Sequence, residues 1–371
     1  MPAPLRVKLS EINDLAEMIG EIFGLNKLYT REQMIAGLRK PVTRRDTLVI
    51  AKDGKPVSHI RIVYDRVSVY GCGFKVASIG AVSTRREYRK RGYAGAILDL
   101  ALREMYQRGT KVLIVSGDRS LYRRYHCAPA GRLYETSVGR DFASPGADLT
   151  VRRVTPEDWH LLAPLHQAES VRFVRPADFI SRLTFWWDCQ SPELWVIDQS
   201  GKPLAYAMLS LAWRDDPERK VREIQEYAGS RAALLDALPA IFAATDFNEI
   251  RVFALGHDAE FVHLLKQHGL AVDWRTPGGT HRIIDLPGLM KALRPYLAAR
   301  LPAKDLRMLS FQQRGDRCAF RFGDEAMEVS LAQAAPLVLG GPGAPSVKGD
   351  LGRVLSAIFP IPFPMPGFNY V

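Results

Sequence analysis

From Ala94 the apolar residues Ile97, Leu98, Ala101, Leu102 and Met105 recur with helical spacing, and Gly109 follows as a C-cap, which predicts a helix over about 94–108. The continuous apolar runs Val76–Val82 and Lys111–Val115 on either side read as buried strands. Residues 48–62 form two strand patterns around an Asp53-Gly54 turn, and residues 194–208 repeat that arrangement, with Gly201-Lys-Pro-Leu in the place of Gly54-Lys-Pro-Val. The segments ahead of the hairpins also correspond. Leu5-Arg-Val-Lys leads to Ser10-Glu, and Leu149-Thr-Val-Arg leads to Thr155-Pro156, each a short strand before a Ser- or Thr-capped helix. Lys111–Val115 is matched in turn by Arg251-Val-Phe-Ala-Leu.

The order of these matches predicts two related α/β units, about 1–145 and 146–285, and a smaller third unit over 286–371. In the last, Leu286-Pro287 opens a helix, and Arg317–Phe322 with Met327–Leu331 reads as a hairpin around Gly323. A Gly/Pro-rich loop at Gly340–Pro345 follows, and prolines at 360, 362, 364 and 366 punctuate the final segment.

Chemistry concentrates between the strand at 76–82 and the helix at 94. Five of the seven residues from Arg85 to Arg91 are basic, and Gly92 and Ala94 let backbone approach a ligand closely. A basic, glycine-containing loop that opens a helix offers free N–H groups and a positive dipole end to a phosphate or pyrophosphate. The pattern is neither G-x-x-x-x-G-K-[ST] nor G-x-G-x-x-G.

Arg89-Lys90-Arg91-Gly92-Tyr93-Ala94 resembles the R-x-x-G-x-A signature of the GNAT N-acetyltransferases, and Val82-x-Thr84 resembles that family's strand end. The resemblance implies acetyl-CoA as acetyl donor, with contacts from Val82, Ser83, Thr84, Arg89, Lys90, Arg91, Gly92, Tyr93, Ala94 and Gly95. It implies no metal, in keeping with a sequence that lacks a C-x-x-C pair or a Cys/His cluster of ligand spacing. After the strand at 111–115, Leu121-Tyr122-x-x-x-His126-Cys127 is similar to the family's apolar-Tyr-x-x-x-Gly-Phe stretch. The likeness gives Tyr122 the role of protonating the departing thiolate, which suits a phenol of ordinary pKa about 10, and sets Gly117 and Asp118 near the cofactor. His126 and Cys127 depart from the pattern.

In the second copy, Glu226-Tyr-Ala-Gly-Ser230 runs straight into a helix, so the loop is shorter by about eight residues and the basic cluster is gone. Val262 or Leu265 stands at the tyrosine position, so the second unit is expected to be catalytically silent. Two such units and a small third one resemble the enhanced intracellular survival family, which implies an α/β (α+β) fold of two tandem GNAT-like mixed-sheet domains and a sterol-carrier-like C-terminal domain. That resemblance makes the C-terminal carboxylate, here on Val371, the general base.

The acceptor is expected to be an amine of a small molecule or peptide. Glu17, Glu21 and Glu32 are candidates for attracting a cation. The formal net charge of +11, from 51 basic and 40 acidic residues, favours an anionic ligand, but no nucleic-acid-reading motif accompanies it. A non-enzymatic binder, holding an apolar ligand in the last unit and an acidic partner on the basic face, is the competing reading. With 371 residues, 47% of them hydrophobic, the chain suits two to three folded domains. No apolar run of about 18 residues and no signal-like amino end predict a cytoplasmic protein without a membrane span. The family likeness adds homo-oligomerisation. The cysteines 72, 127, 189 and 318 are expected to be buried or incidental thiols.

Overall fold

A computed structural model describes residues 2–23, 30–144, 148–176, 179, 193–211 and 220–369. Cys189 and Val371 lie outside the described residues. The fold is mixed α/β, built on two seven-stranded sheets and one of three strands.

The first sheet begins with β1 (Leu5–Arg6), followed by helices α1 (Ile12–Phe23), α2 (Arg31–Arg39) and α3 (Pro41–Arg45). Strands β2 (Thr47–Lys52), β3 (Lys55–Val69) and β4 (Cys72–Thr84) then form a meander, and α4 (Tyr93–Gln107) crosses to β5 (Thr110–Val115). Its turns carry positive φ at both central residues, 50° and 76° at Asp53-Gly54 and 47° and 83° at Tyr70-Gly71, which matches the right-handed twist of a tight hairpin. The short helix α5 (Ser120–Arg124) follows.

The second sheet repeats the plan with β7 (Thr150–Arg153), α6 (Trp159–Ala168), β9 (Glu193–Gln199), β10 (Lys202–Leu211), β11 (Val221–Gly229) and β12 (Glu249–Leu255). The strand orders β1-β2-β3-β4-β5 and β7-β9-β10-β11-β12 correspond one to one, and in each the last two strands are parallel.

The sixth positions are exchanged. β6 (Leu133–Gly139), which follows the first copy, pairs antiparallel with β12, whereas β14 (Thr280–Ile283), which follows the second, pairs antiparallel with β5. β8 (Val171–Phe173) adds to β3 at Val67–Val69, and β13 (Asp273–Arg275) borders β6. Sheet membership therefore crosses the expected limit near 145, because each of the first two units closes its sheet with a strand from the other.

Packing follows the sequence alternation. Leu48, Ile50, Ile60, Ile62, Ile79 and Val115 pack with Ile97, Leu98, Ala101 and Met105 of α4, while Val49 packs with Ile12, Leu15 and Met18 of α1 on the opposite face. The last three strands, β15 (Leu309–Arg314), β16 (Arg317–Phe322) and β17 (Glu325–Ser330), form the small sheet. Its core residues Cys318, Phe320 and Val329 are continuous with Val67, Phe74 and Val112 of the first sheet. Among the described residues no helix is long and apolar enough to cross a membrane, and no group of three or more His, Cys, Asp or Glu could hold a metal ion.

Candidate functional site

β4 and β5 run side by side only as far as Ile79 opposite Val115. Beyond that point β4 parts from β5 and continues to Thr84 paired with β3 only, and the loop 85–92 carries the chain to α4. Val82 and Ser83 are buried at the strand end, and the Thr84 hydroxyl lies 2.9 Å from that of Ser58. The loop is held in place by its own arginines. Arg89 donates from Nε to the Thr84 carbonyl at 3.2 Å. Arg85 donates to the Pro56 carbonyl (3.1 Å), to the Asp14 carbonyl (3.5 Å) and to Glu21 (3.4 Å). Arg85 is thus committed to the scaffold, and the exposed charge belongs to Arg86, Arg89, Lys90 and Arg91.

Gly92 is the N-cap of α4, with φ 80° and no side-chain cap. Glycine takes this left-handed conformation without the clash a Cβ would bring. The first backbone bond of the helix is from Ala96 N–H to the Gly92 carbonyl, 3.0 Å, so the amides of Tyr93, Ala94 and Gly95 precede the helical ladder. Unbonded amides at the positive end of a 15-residue helix suit an anion. Arg91 sits 5.4 Å over the Tyr88 ring, and Tyr88 in turn lies 6.3 Å from Tyr93.

Tyr122 is buried on α5, and a Cβ built on Gly117 would lie 3.4 Å from its ring. The structure therefore brings Tyr122 and Gly117 together at the carboxyl end of β5. Asp118 is exposed, and Arg123 donates to both of its oxygens at 2.8 and 2.6 Å. The hydrogen bond from Arg123 holds its carboxyl below the usual range.

Tyr125, which the sequence reading passed over, ties α5 to the candidate loop by donating its hydroxyl to the Gly95 carbonyl at 3.0 Å. Burial first, and Asp99 second, push its pKa up to about 12, so the phenol stays protonated as a donor. Only its spacing three residues after Tyr122 marks it in the sequence. His126, at the family's glycine position, has φ 57° and so keeps the left-handed backbone that glycine favours. Cys127 is buried, and burial pushes its thiol up to about 12, so it packs as an inert residue. Glu17, Glu21 and Glu32 are exposed, and Glu21 is already paired with Arg85.

At the equivalent place in the second unit, side chains bond one another across the strand ends. β11 and β12 pair only from Val221–Glu223 to Glu249–Arg251. Past that point the Tyr227 hydroxyl donates to Asp258 (3.2 Å) and lies 3.4 Å from the Leu255 amide. Arg231 donates to Asp258 (2.8 Å) and to both oxygens of Glu169 (2.6 and 2.7 Å). The helix Arg231–Asp236 caps itself, with the Ser230 hydroxyl accepting from Ala233 N–H. Val262 and Leu265 lie on the following helix, Ala259–Gln267, and pack in the second sheet's core.

The last described residues cross this second unit. Asn369 is buried, and its Oδ1 accepts from Arg175 Nε at 3.0 Å. Arg175 also donates to Glu226 at 2.7 Å, and the Tyr206 hydroxyl donates to the same carboxylate at 2.7 Å. The base expected on Val371 lies two residues further on, outside the described residues.

Residues 5–130 match the family model described as an acetyltransferase (GNAT) domain, which spans the whole of the loop and Tyr122. No curated protein matches the chain. Among solved structures, the chain is similar to a protein of unknown function from Enterococcus faecalis described as a probable N-acyltransferase, at 14% identity and a TM-score of 0.66, with 96% of each chain covered. It is also similar to a GCN5-related N-acetyltransferase from Kribbella flavida, at 17% identity, a TM-score of 0.65 and 96% of each chain. Eis1 from Mycobacterium abscessus matches at 14% identity, a TM-score of 0.65 and 96% of each chain. At these identities the likeness is one of fold, and it extends over nearly the whole chain.

Proposed function

We propose that the chain is an acetyl-CoA-dependent N-acetyltransferase with its one working site in the first unit. The observation that carries this reading is the contrast between the two copies. The amides at the start of α4 are uncapped beside a basic loop, whereas Ser230 caps the corresponding helix of the second copy and Arg231 and Tyr227 beside it are bonded to Asp258 and Glu169. Acetyl-CoA supplies the activated acyl group when bound. Its pyrophosphate suits the amides of Tyr93 to Gly95 and the side chains of Arg89, Lys90 and Arg91, with Val82, Ser83 and Thr84 along the pantetheine.

The acceptor amine attacks the thioester carbonyl and forms a C–N bond. The Val82 N–H donates to the carbonyl oxygen as negative charge grows there. The C–S bond breaks, Tyr122 gives its proton to the departing sulfur, and the amine's proton passes to a base or to water. The Tyr122 ring lies beside Gly117, and Tyr125 holds α5 against the first turn of α4.

In the same reading the chain divides near 145 and 285 into a working acetyltransferase domain, a degenerate copy and a sterol-carrier-like unit. The shared strand order of the two large sheets supports the first two. The acceptor is a small-molecule or peptide amine. Titration of the protein with acetyl-CoA by calorimetry is expected to give one site per chain. Two equivalent sites, or none, would contradict the reading.

A further inference from the structure

The register of β3 against β4 breaks once. Arg61 lies opposite Gly80 and His59 opposite Ser83, so Ala81 and Val82 together face Ile60 as a bulge. Ala81 has φ 48°, a left-handed conformation that residues with a side chain rarely adopt. Next to this strained residue, His59 Nδ1 lies 2.8 Å from the Ala81 carbonyl oxygen. A carbonyl can only accept, so Nδ1 carries the proton and Nε2 is the bare nitrogen.

His59 is fully buried, and burial pushes its pKa down to about 4, so the ring is neutral. Nε2 has no hydrogen-bond partner among the described residues. The histidine's one formed ring bond is therefore the one to the bulge. Among the described residues the single cis peptide is Phe359-Pro360, so the Ala81-Val82 peptide is trans. In a trans peptide the carbonyl and the following N–H point in opposite directions. Fixing the Ala81 oxygen fixes the Val82 N–H.

We propose that His59 is a positioning residue for acetyl transfer: its Nδ1–H holds the Ala81 carbonyl, and so keeps the Val82 N–H turned toward the thioester oxygen. The proposal rests on the reading of the first unit as the transfer site. This bond resists rotation of the Ala81-Val82 peptide within the bulge, and without it the donor's aim is less firmly held. The sequence hides the role, because a histidine in an alternating strand reads as one more polar position.

Two variants and one spectroscopic readout test it. In His59→Asn the side-chain amide places an N–H where Nδ1–H stood, and in His59→Leu no donor remains. The Leu variant is expected to lose about 10- to 100-fold in kcat, a part of the roughly 10²–10³ that removing an oxyanion donor outright costs, with KM for acetyl-CoA unchanged. The Asn variant is expected to recover most of that loss. Equal kcat in His59→Leu and wild type would overturn the proposal, as would an Asn variant no better than Leu. Should the Leu variant fail to fold, the ¹⁵N shifts of the His59 ring in the wild-type protein decide: a proton on Nδ1 agrees, and a proton on Nε2 overturns. The ring measurement needs no turnover, so a wild-type protein without transferase activity would remove the functional reading while His59's hold on the bulge is still read directly.

Discussion

Gly92→Glu is expected to weaken acetyl-CoA binding by about a hundredfold or more while leaving a folded protein. The added carboxylate stands at the N-terminus of α4, in the place read for the pyrophosphate. Two like charges about 4 Å apart repel by roughly 1–4 kcal/mol between bulk-water and protein-surface conditions, and every 1.4 kcal/mol is tenfold in affinity. The new side chain also fills the close approach that glycine leaves, and caps the amides the anion would use. Forcing an L-residue to φ 80° costs about 1–2 kcal/mol of stability, so the melting temperature falls by a few degrees. Gly92→Ala separates the effects, because it carries the backbone strain without the charge. It should share the loss of stability and keep much of the affinity. Native affinity in a folded Gly92→Glu protein would remove the loop from the site.

Tyr122→Phe should lower kcat by about 10²- to 10⁴-fold, the range for removing a general acid, with the dissociation constant for acetyl-CoA within twofold of wild type. The ring stays, so its packing against Gly117 is retained and only the proton donor is lost. Tyr125→Phe is the necessary companion. It deletes the bond to the Gly95 carbonyl and should cost about 0.5–1.5 kcal/mol of stability, with kcat reduced only a few-fold. The opposite pattern, with turnover lost in Tyr125→Phe and kept in Tyr122→Phe, would move the acid role three residues along the chain.

Much of this architecture was legible locally. The Asp53-Gly54 and Ser200-Gly201 turns announce two hairpins of one kind, and both residues of each turn have positive φ. The apolar spacing from Ile97 to Met105 predicts α4, which begins one residue before Ala94 and ends one before Arg108. The basic loop and its glycine stand out because an anion site needs few residues close together in sequence.

Features that depend on distant partners were not legible. β6 and β14 are short strands of ordinary composition, and nothing in either says that it completes the sheet of the other half. The basic run from Arg85 to Arg91 reads as uniform charge, yet Arg85 is spent on Pro56, Asp14 and Glu21 across the fold. The loss of the basic cluster in the second unit was legible. The bonding of Tyr227 and Arg231 to Asp258 and Glu169 beside that helix needed the strands to be assembled first.

Acetyl transfer by the first unit is tested most directly by following free-thiol release and the mass of the acceptor together. Wild-type protein and acetyl-CoA would be incubated with polyamines, aminoglycosides, arylalkylamines and peptides in turn. The expected result is thiol release that requires both acetyl-CoA and one class of amine, with a single acetyl group gained by that amine and both signals lost in Gly92→Glu. Thiol release that persists undiminished in a folded Gly92→Glu protein, or acetyl-CoA binding with no acetylated amine in any class, would contradict it.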